Sequence, residues 1–304
     1  MSDASETASV VGIGRRQLAR DLSKIARASV AESLQLLREA GTVPARRIGF
    51  TGPPGAGKST LIGRVAKARA ARDESIAIIA IDPSSPATSG ALLGDRVRMD
   101  AVLADTDVFI RSLPSGWSAD GLSDNLADVL AAVEADGFGE ILLESVGVGQ
   151  VENGARALVD TLVLALGPQS GDQIQAMKAG VLETADIVVV NKCDLPGAER
   201  MAQDIRNVLE RNRANGRRVA PVLLTRANDE ASIGQLSNAI DEHTQWRAAH
   251  LDVARVAETR KRFHVRSLLT RRVAELIDAL PDDAPTASVA ELYAHIAKQI
   301  SGSG

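Results

Sequence analysis

Seven short apolar runs set most of what this chain can fold into. They are "RIGFTG" (47–52), "IAIIAID" (76–82), "DVFIRS" (107–112), "EILLES" (140–145), "TLVLALG" (161–167), "DIVVVN" (186–191) and "VAPVLLT" (219–225). Each run is continuous rather than alternating, which suits a strand buried on both faces, as in a parallel sheet. Helix-compatible stretches separate the runs. Strand and helix in turn predict an α/β domain of three layers, a mainly parallel sheet flanked by helices. Ligands in such domains bind at the carboxyl ends of the strands, and the motifs below fall there.

Helical patterns flank this region. Residues 1–14 read as a flexible tail. Leu18, Leu22, Ile25, Leu34 and Leu37 then recur at three- or four-residue steps from Arg15 to Ala40, and Gly41 offers a stop. An N-terminal helical extension over 15–42 therefore precedes a sheet domain over 43–250. From Val253 to Leu280 the pattern is helical again, with many arginines between the apolar positions. "LPDDAP" interrupts it, a last helix is expected from Ala287 to Ile300, and 301–304 read as a disordered tail. The 251–300 arm must bury its apolar stripe, either against its own domain or against a second copy of the chain.

The composition is that of an ordinary globular protein, with 45% hydrophobic and 24% charged residues. A net charge of −4 and only 2% aromatic residues argue against nucleic acid as the main partner. The single cysteine, Cys193, allows no disulfide within the chain, and this fits a reducing cytoplasm. The opening "MSDASETASV" lacks the apolar core of a secretion signal, and no apolar run reaches the length of a membrane span.

"GPPGAGKST", Gly52 to Thr60, contains G-x-x-x-x-G-K-[ST] between a strand pattern and a helix pattern, the context this phosphate-binding motif requires. Glycines let backbone N–H groups turn toward anionic oxygens, and the helix that follows presents its positive end to them. Lys58 can reach the β- and γ-phosphates, and the Ser59 hydroxyl can ligand Mg²⁺. Gly55, Ala56, Gly57 and Thr60 complete this part of the nucleotide site. "NKCD", Asn191 to Asp194, ends the "DIVVV" run and fits the N-K-x-D signature of guanine recognition. The Asp194 carboxylate can accept from guanine N1–H and its amino group, whereas adenine N1 offers no proton. Asn191 would tie the loop to its neighbours, and the Lys192 stem can lie over the base. Thr225, Arg226 and Ala227 end the next run, where a Ser-Ala pair often contacts the guanine oxygen; here Arg226 takes the serine place. Three acids end or follow runs near the phosphate loop: Asp82, Asp95 and Glu144. Any one alone would be an ordinary loop carboxylate; as a set, with Ser59, they are expected to hold metal or switch with the nucleotide. The Ser/Pro/Gly-rich stretch 82–96 and "VGVGQVENG" (146–154) are the two candidate switches.

Together these residues resemble the MeaB/ArgK family. The stretches "TGPPGAGKST", "IDPSSPATSGALLGDRVRM", "ESVGVGQVE", "DTLVLAL" and "GDQIQAMKAGVLETADIVVVNKCD" carry the likeness, which covers roughly residues 15–280. The resemblance implies a GTPase G domain of the SIMIBI class with helical extensions at both ends, the C-terminal one serving dimerisation. It implies a chaperone for a B12-dependent acyl-CoA mutase, one that binds GTP/GDP and Mg²⁺ and couples slow hydrolysis to adenosylcobalamin delivery and repair. By matching positions it assigns catalytic roles to Lys58, Lys178, Glu144 and Asp95 and metal roles to Ser59, Asp82, Asp95 and Glu144. Lys178 would swing to the site when the mutase docks; without the resemblance it reads as a helix-surface lysine. The stretch "LPSGWSADGLS" (113–123) departs from the family's His-Leu-Gly-Gly run, which leaves open methylmalonyl-CoA mutase or a specialised partner such as a 2-hydroxyisobutyryl-CoA mutase. The competing readings are a nickel metallochaperone GTPase, which usually needs Cys and His clusters, and a transport-system kinase, which needs an acceptor protein.

Overall fold

The computed structural model describes residues 3–36, 45–72, 74–82, 103, 106–114, 125–145, 156–169, 181–211, 218–280 and 288–302. All seven apolar runs form strands: β1 Arg46–Thr51, β2 Ile76–Asp82, β3 Val108–Pro114, β4 Glu140–Glu144, β5 Thr161–Leu166, β6 Ile187–Asn191 and β7 Val222–Thr225. They make one parallel sheet in the order β3-β2-β4-β1-β5-β6-β7. The central β1 sets Phe50 beside Glu144 of β4 and Val163 of β5.

The helices in chain order are α1 Asp3–Ile25, α2 Val30–Leu36, α3 Lys58–Ala70, α4 Leu126–Ala135, the single turn α5 Val181–Thr184, α6 Ala198–Arg211, α7 Glu230–His250, α8 Val253–Asp278 and α9 Val289–Ser301. On one face of the sheet, Leu61, Ile62, Val65 and Ala66 of α3 pack with Ile233, Leu236 and Ile240 of α7. On the other, Leu18, Leu22 and Ile25 of α1 pack with Val129, Leu130 and Val133 of α4. A third cluster joins Met201, Ala202 and Ile205 of α6 to the β6–β7 end. Burying each of the Leu, Ile, Val and Met side chains among these favours folding by about 1.5–3 kcal/mol. This explains why an aromatic-poor chain still builds a core from branched aliphatics.

A polar fork is sealed inside the α3–α7 side. Arg69 and Glu140 are both fully buried, with Arg69 Nε donating to Glu140 Oε2 at 2.6 Å and Nη2 to Oε1 at 2.5 Å. Arg69 also donates to Asp241 Oδ1 and to Ser237 Oγ. Burial opposes the charge on Arg69, but the two carboxylates outweigh it and hold the guanidinium above its ordinary value.

Two flanking expectations need correction. The segment 1–14 is not a tail, because α1 begins at Asp3. The single helix expected from Arg15 to Ala40 is broken: α1 ends at Ile25 and α2 starts at Val30. Asn125 fixes the break by donating from Nδ2 to the carbonyls of Ile25 and Ala28. Residues 37–44, including Leu37 and Gly41, lie outside the described residues. The last helix runs Val289–Ser301, started by a capping box between Ser288 and Glu291.

The arm folds back through polar contacts. Arg271 donates to Asp128 Oδ2 of α4 at 2.5 Å and to Ser33 Oγ of α2 at 2.9 Å. His264 meets the other Asp128 oxygen, and Glu275 Oε1 accepts from the Val30 amide at 2.7 Å. Phe263 packs against the α1–α4 cluster. Val265, Leu269 and Ile277 stay more than half exposed, as do Val289 and Tyr293 of α9. No helix among the described residues is long and apolar enough to cross a membrane.

Candidate functional site

The sheet order fixes where a ligand sits. From β1 the chain crosses to β2 on one side; from β4, its neighbour, it crosses to β5 on the other. The carboxyl ends of β1 and β4 therefore border the topological switch point, the usual ligand crevice of an open α/β sheet. The phosphate-loop motif follows β1, and Glu144 closes β4. Ser59 Oγ donates to Glu144 Oε1 at 2.7 Å, bridging this crevice.

The loop itself is built around glycine. Gly57, the N-cap of α3, has φ +84° and gives that helix no side-chain cap. The N-cap thus places no side chain over the first amides of α3, an arrangement suited to an anion. A Cβ on Gly57 would come within 2.6 Å of Asn191 Nδ2, and one on Gly52 within 2.0 Å of the Ala165 carbonyl. Lys58 curls back over the loop, its Nζ donating to the Gly52 carbonyl at 2.9 Å and the Pro53 carbonyl at 3.2 Å. Ala56 is buried beneath, while Ser59 and Thr60 are half-buried. These residues fit a polyphosphate: an N-cap without a side chain, positive-φ glycines and a lysine that reaches back to the loop carbonyls.

The base-recognition loop is bonded to this cradle. Asn191 Nδ2 donates to the Ala56 carbonyl at 2.9 Å, and Thr225 Oγ1 donates to Asn191 Oδ1 at 3.1 Å. Lys192 Nζ donates to the Gly55 carbonyl at 2.8 Å. The Lys192 backbone sits at φ +56°, a left-handed geometry that costs a non-glycine residue roughly 1–2 kcal/mol. The Cys193 amide reaches the Thr225 carbonyl, and the Leu195 amide reaches that of Lys192. One hydrogen-bonded unit thus joins the ends of β1, β6 and β7. Asp194 and Arg226 are exposed beside it, and Ala227 is half-buried. The Arg226 amide is held by Ser232 Oγ at 3.2 Å.

A cleft of about 230 Å³ opens here, lined by Pro54, Gly55, Lys192 and Leu195 together with Gly167, Pro168 and Gln169. The last three follow β5 and were missed from the sequence, although a Gly-Pro step directly after a strand at the sheet's carboxyl edge marks them. Of the remaining site residues, Asp82 ends β2. Asp95, Lys178, the stretch 83–96, the second switch at 146–154 and most of the divergent 113–123 stretch lie outside the described residues. Among the described residues no group of three or more His, Cys, Asp or Glu side chains gathers to hold a metal.

Comparison with known proteins agrees with this architecture. A protein of Pyrococcus horikoshii named as a GTPase is 37% identical over 235 residues, spanning 76% of this chain and 74% of that one. The mitochondrial methylmalonic aciduria type A homolog of Mus musculus is 38% identical over 180 residues, 59% of this chain and 43% of its own. A crystal structure of LAO/AO transport system kinase shares the fold, with a TM-score of 0.60 at 23% identity over 99% of both chains. Residues 19–282 match the family described as methylmalonyl Co-A mutase-associated GTPase MeaB. With its cradle, base loop and strand order in the places described, the chain belongs to the MeaB family.

Proposed function

We propose that the chain is a GTP hydrolase that chaperones a B12-dependent acyl-CoA mutase, coupling Mg-GTP binding and hydrolysis to delivery, protection and repair of adenosylcobalamin. The observation that carries this reading is the bonded unit of Ala56, Asn191 and Thr225, which locks a phosphate cradle to an N-K-x-D loop. Nucleotide and Mg²⁺ together supply a polarised phosphoanhydride. The chain's own residues do the rest. The Gly55–Thr60 backbone and the α3 amides orient the phosphates, and Lys58 leaves its loop carbonyls to meet them. Ser59 and Glu144, now hydrogen-bonded to each other, would hold Mg²⁺, with Asp82 and Asp95 as the further acids of the set. Asp194 reads guanine, Lys192 covers it, and the 225–227 backbone meets its oxygen. Lys178 supplies a cation for the developing charge once the mutase docks. The family's description supports the mutase as partner. The exposed stripes of α8 and α9 support a homodimer, and the lone cysteine supports the cytoplasm as its compartment.

Two measurements test the reading. Calorimetry should show GDP binding at least tenfold tighter than ADP, with Asp194→Ala abolishing that preference; comparable affinity for ADP in the wild type would refute guanine recognition. Titration of methylmalonyl-CoA mutase and 2-hydroxyisobutyryl-CoA mutase into a GTP hydrolysis assay should reveal stimulation by one of them. Lys178→Ala should lose that stimulation while keeping basal turnover, and full stimulation of the variant would remove Lys178 from the mechanism.

A further inference from the structure

A second cavity, of about 400 Å³, lies at the opposite end of the sheet, under the amino ends of β1 and β5. Its volume is in the range of small-molecule sites, roughly 300–1,000 Å³. Helices α4, α7 and α8 wall it, at the elbow where α7 ends and α8 begins. Ala45, Ala127, Ala131, Leu158, Leu251 and Val256 give it an apolar side.

The polar side carries more positive charge than it neutralises. Arg47 is matched by Glu134, with Nε and Nη2 donating at 2.9 and 2.7 Å. Arg46 is directed to Glu74, Glu140 and Asp241. Asp160 is then the remaining lining carboxylate, and it serves two guanidiniums: Arg247 Nη2 and Arg260 Nη2 both lie 2.7 Å from its oxygens. It also accepts from the Arg47 amide. One carboxylate cannot satisfy both forks. Arg260 Nε is buried with no acceptor among the described residues, and its Nη2, though close to Asp160, makes no aligned hydrogen bond. Exposed Lys261 adds a further positive charge to the lining. Buried guanidinium donors are normally satisfied, and an orphan in a cavity wall calls for an acceptor from outside the chain.

We propose that this cavity binds a small acyl-chain carboxylate, its head on Arg260 and Lys261 and its chain along the alanine and leucine wall. The site is distinct from the nucleotide cradle and does not depend on what that cradle binds.

The test is calorimetric titration of the full chain with octanoate, alongside its neutral isostere octanamide and inorganic phosphate, with and without saturating GDP. Saturable one-to-one binding of octanoate is expected, at least tenfold tighter than octanamide or phosphate and unaffected by GDP. Arg260→Gln should weaken octanoate at least tenfold. Ala131→Phe, which fills the cavity and leaves the charges in place, should abolish binding; melting temperatures check that both variants fold. The proposal is overturned if octanoate fails to bind at millimolar concentration. It is equally overturned if octanamide or phosphate binds as well, if GDP displaces octanoate, or if both folded variants keep wild-type affinity. Should Arg260→Gln not fold, Ala131→Phe decides.

Discussion

Gly57 works at the scale of one residue. Its φ of +84° and the 2.6 Å approach of Asn191 Nδ2 leave no room for a Cβ. Gly57→Ala should therefore cost about 1–3 kcal/mol of stability and weaken nucleotide binding far more, because any relief moves Asn191 and with it the base loop. Denaturant unfolding and calorimetry on one sample would separate the two effects. Arg69 is the second such residue. Arg69→Met removes the buried fork from Glu140 and leaves it only the partly exposed Arg46, and the expected loss is about 3–5 kcal/mol in urea unfolding. The two residues differ in how openly the sequence declared them. Gly57 was legible because its motif is local. Arg69 and Glu140 are far apart in the chain and meet only because α3 packs over β4, and no short pattern encodes that.

At the scale of elements, the strands were legible and the joints were not. Runs buried on both faces announce themselves by continuity, and each became a strand. The break between α1 and α2 depends on Asn125, a hundred residues away, so periodicity read through it. The same limit hid the seat of α8, where Arg271 and His264 converge on Asp128. Burial pulls the Asp128 carboxyl up, but His264 and Arg271 outweigh it and hold the group below the usual carboxylate range. A depressed folded-state pKa gives stability that is complete above the unfolded value, about 3.9, and is lost as pH falls through the folded value. Urea midpoints from pH 7 down to pH 2 should therefore fall steeply below about pH 4. Asp128→Asn should cost about 1.5–3 kcal/mol at neutral pH and flatten that acid limb. Asp160 acts in the same direction: burial raises its pKa, but Arg260, the Arg47 amide and Arg247 lower it further.

At the scale of the whole molecule, the arm was left between two fates in the sequence, and the fold gives it part of one. It is anchored by polar contacts to α2 and α4, yet keeps Val265, Leu269 and Ile277 largely uncovered. Leu269→Glu should shift sedimentation toward monomer without changing GDP affinity if this stripe pairs two copies; a monomeric wild type, or a variant that stays dimeric, would remove the arm from assembly.

The strand order has a consequence for biogenesis. β4 lies between β1 and β2, so β2 can pair with β3 early, but β1 finds no neighbour until residue 144 has left the ribosome. A nascent chain that has released only the first three strands carries an unpaired β1 and a β2–β3 pair whose open β2 edge is rich in isoleucine. Parallel, long-range pairing of this kind is slow and exposes sticky intermediates. Translation pausing upstream of Glu140 would thus lower the yield of folded product, whereas pausing after Thr225 would leave it unchanged.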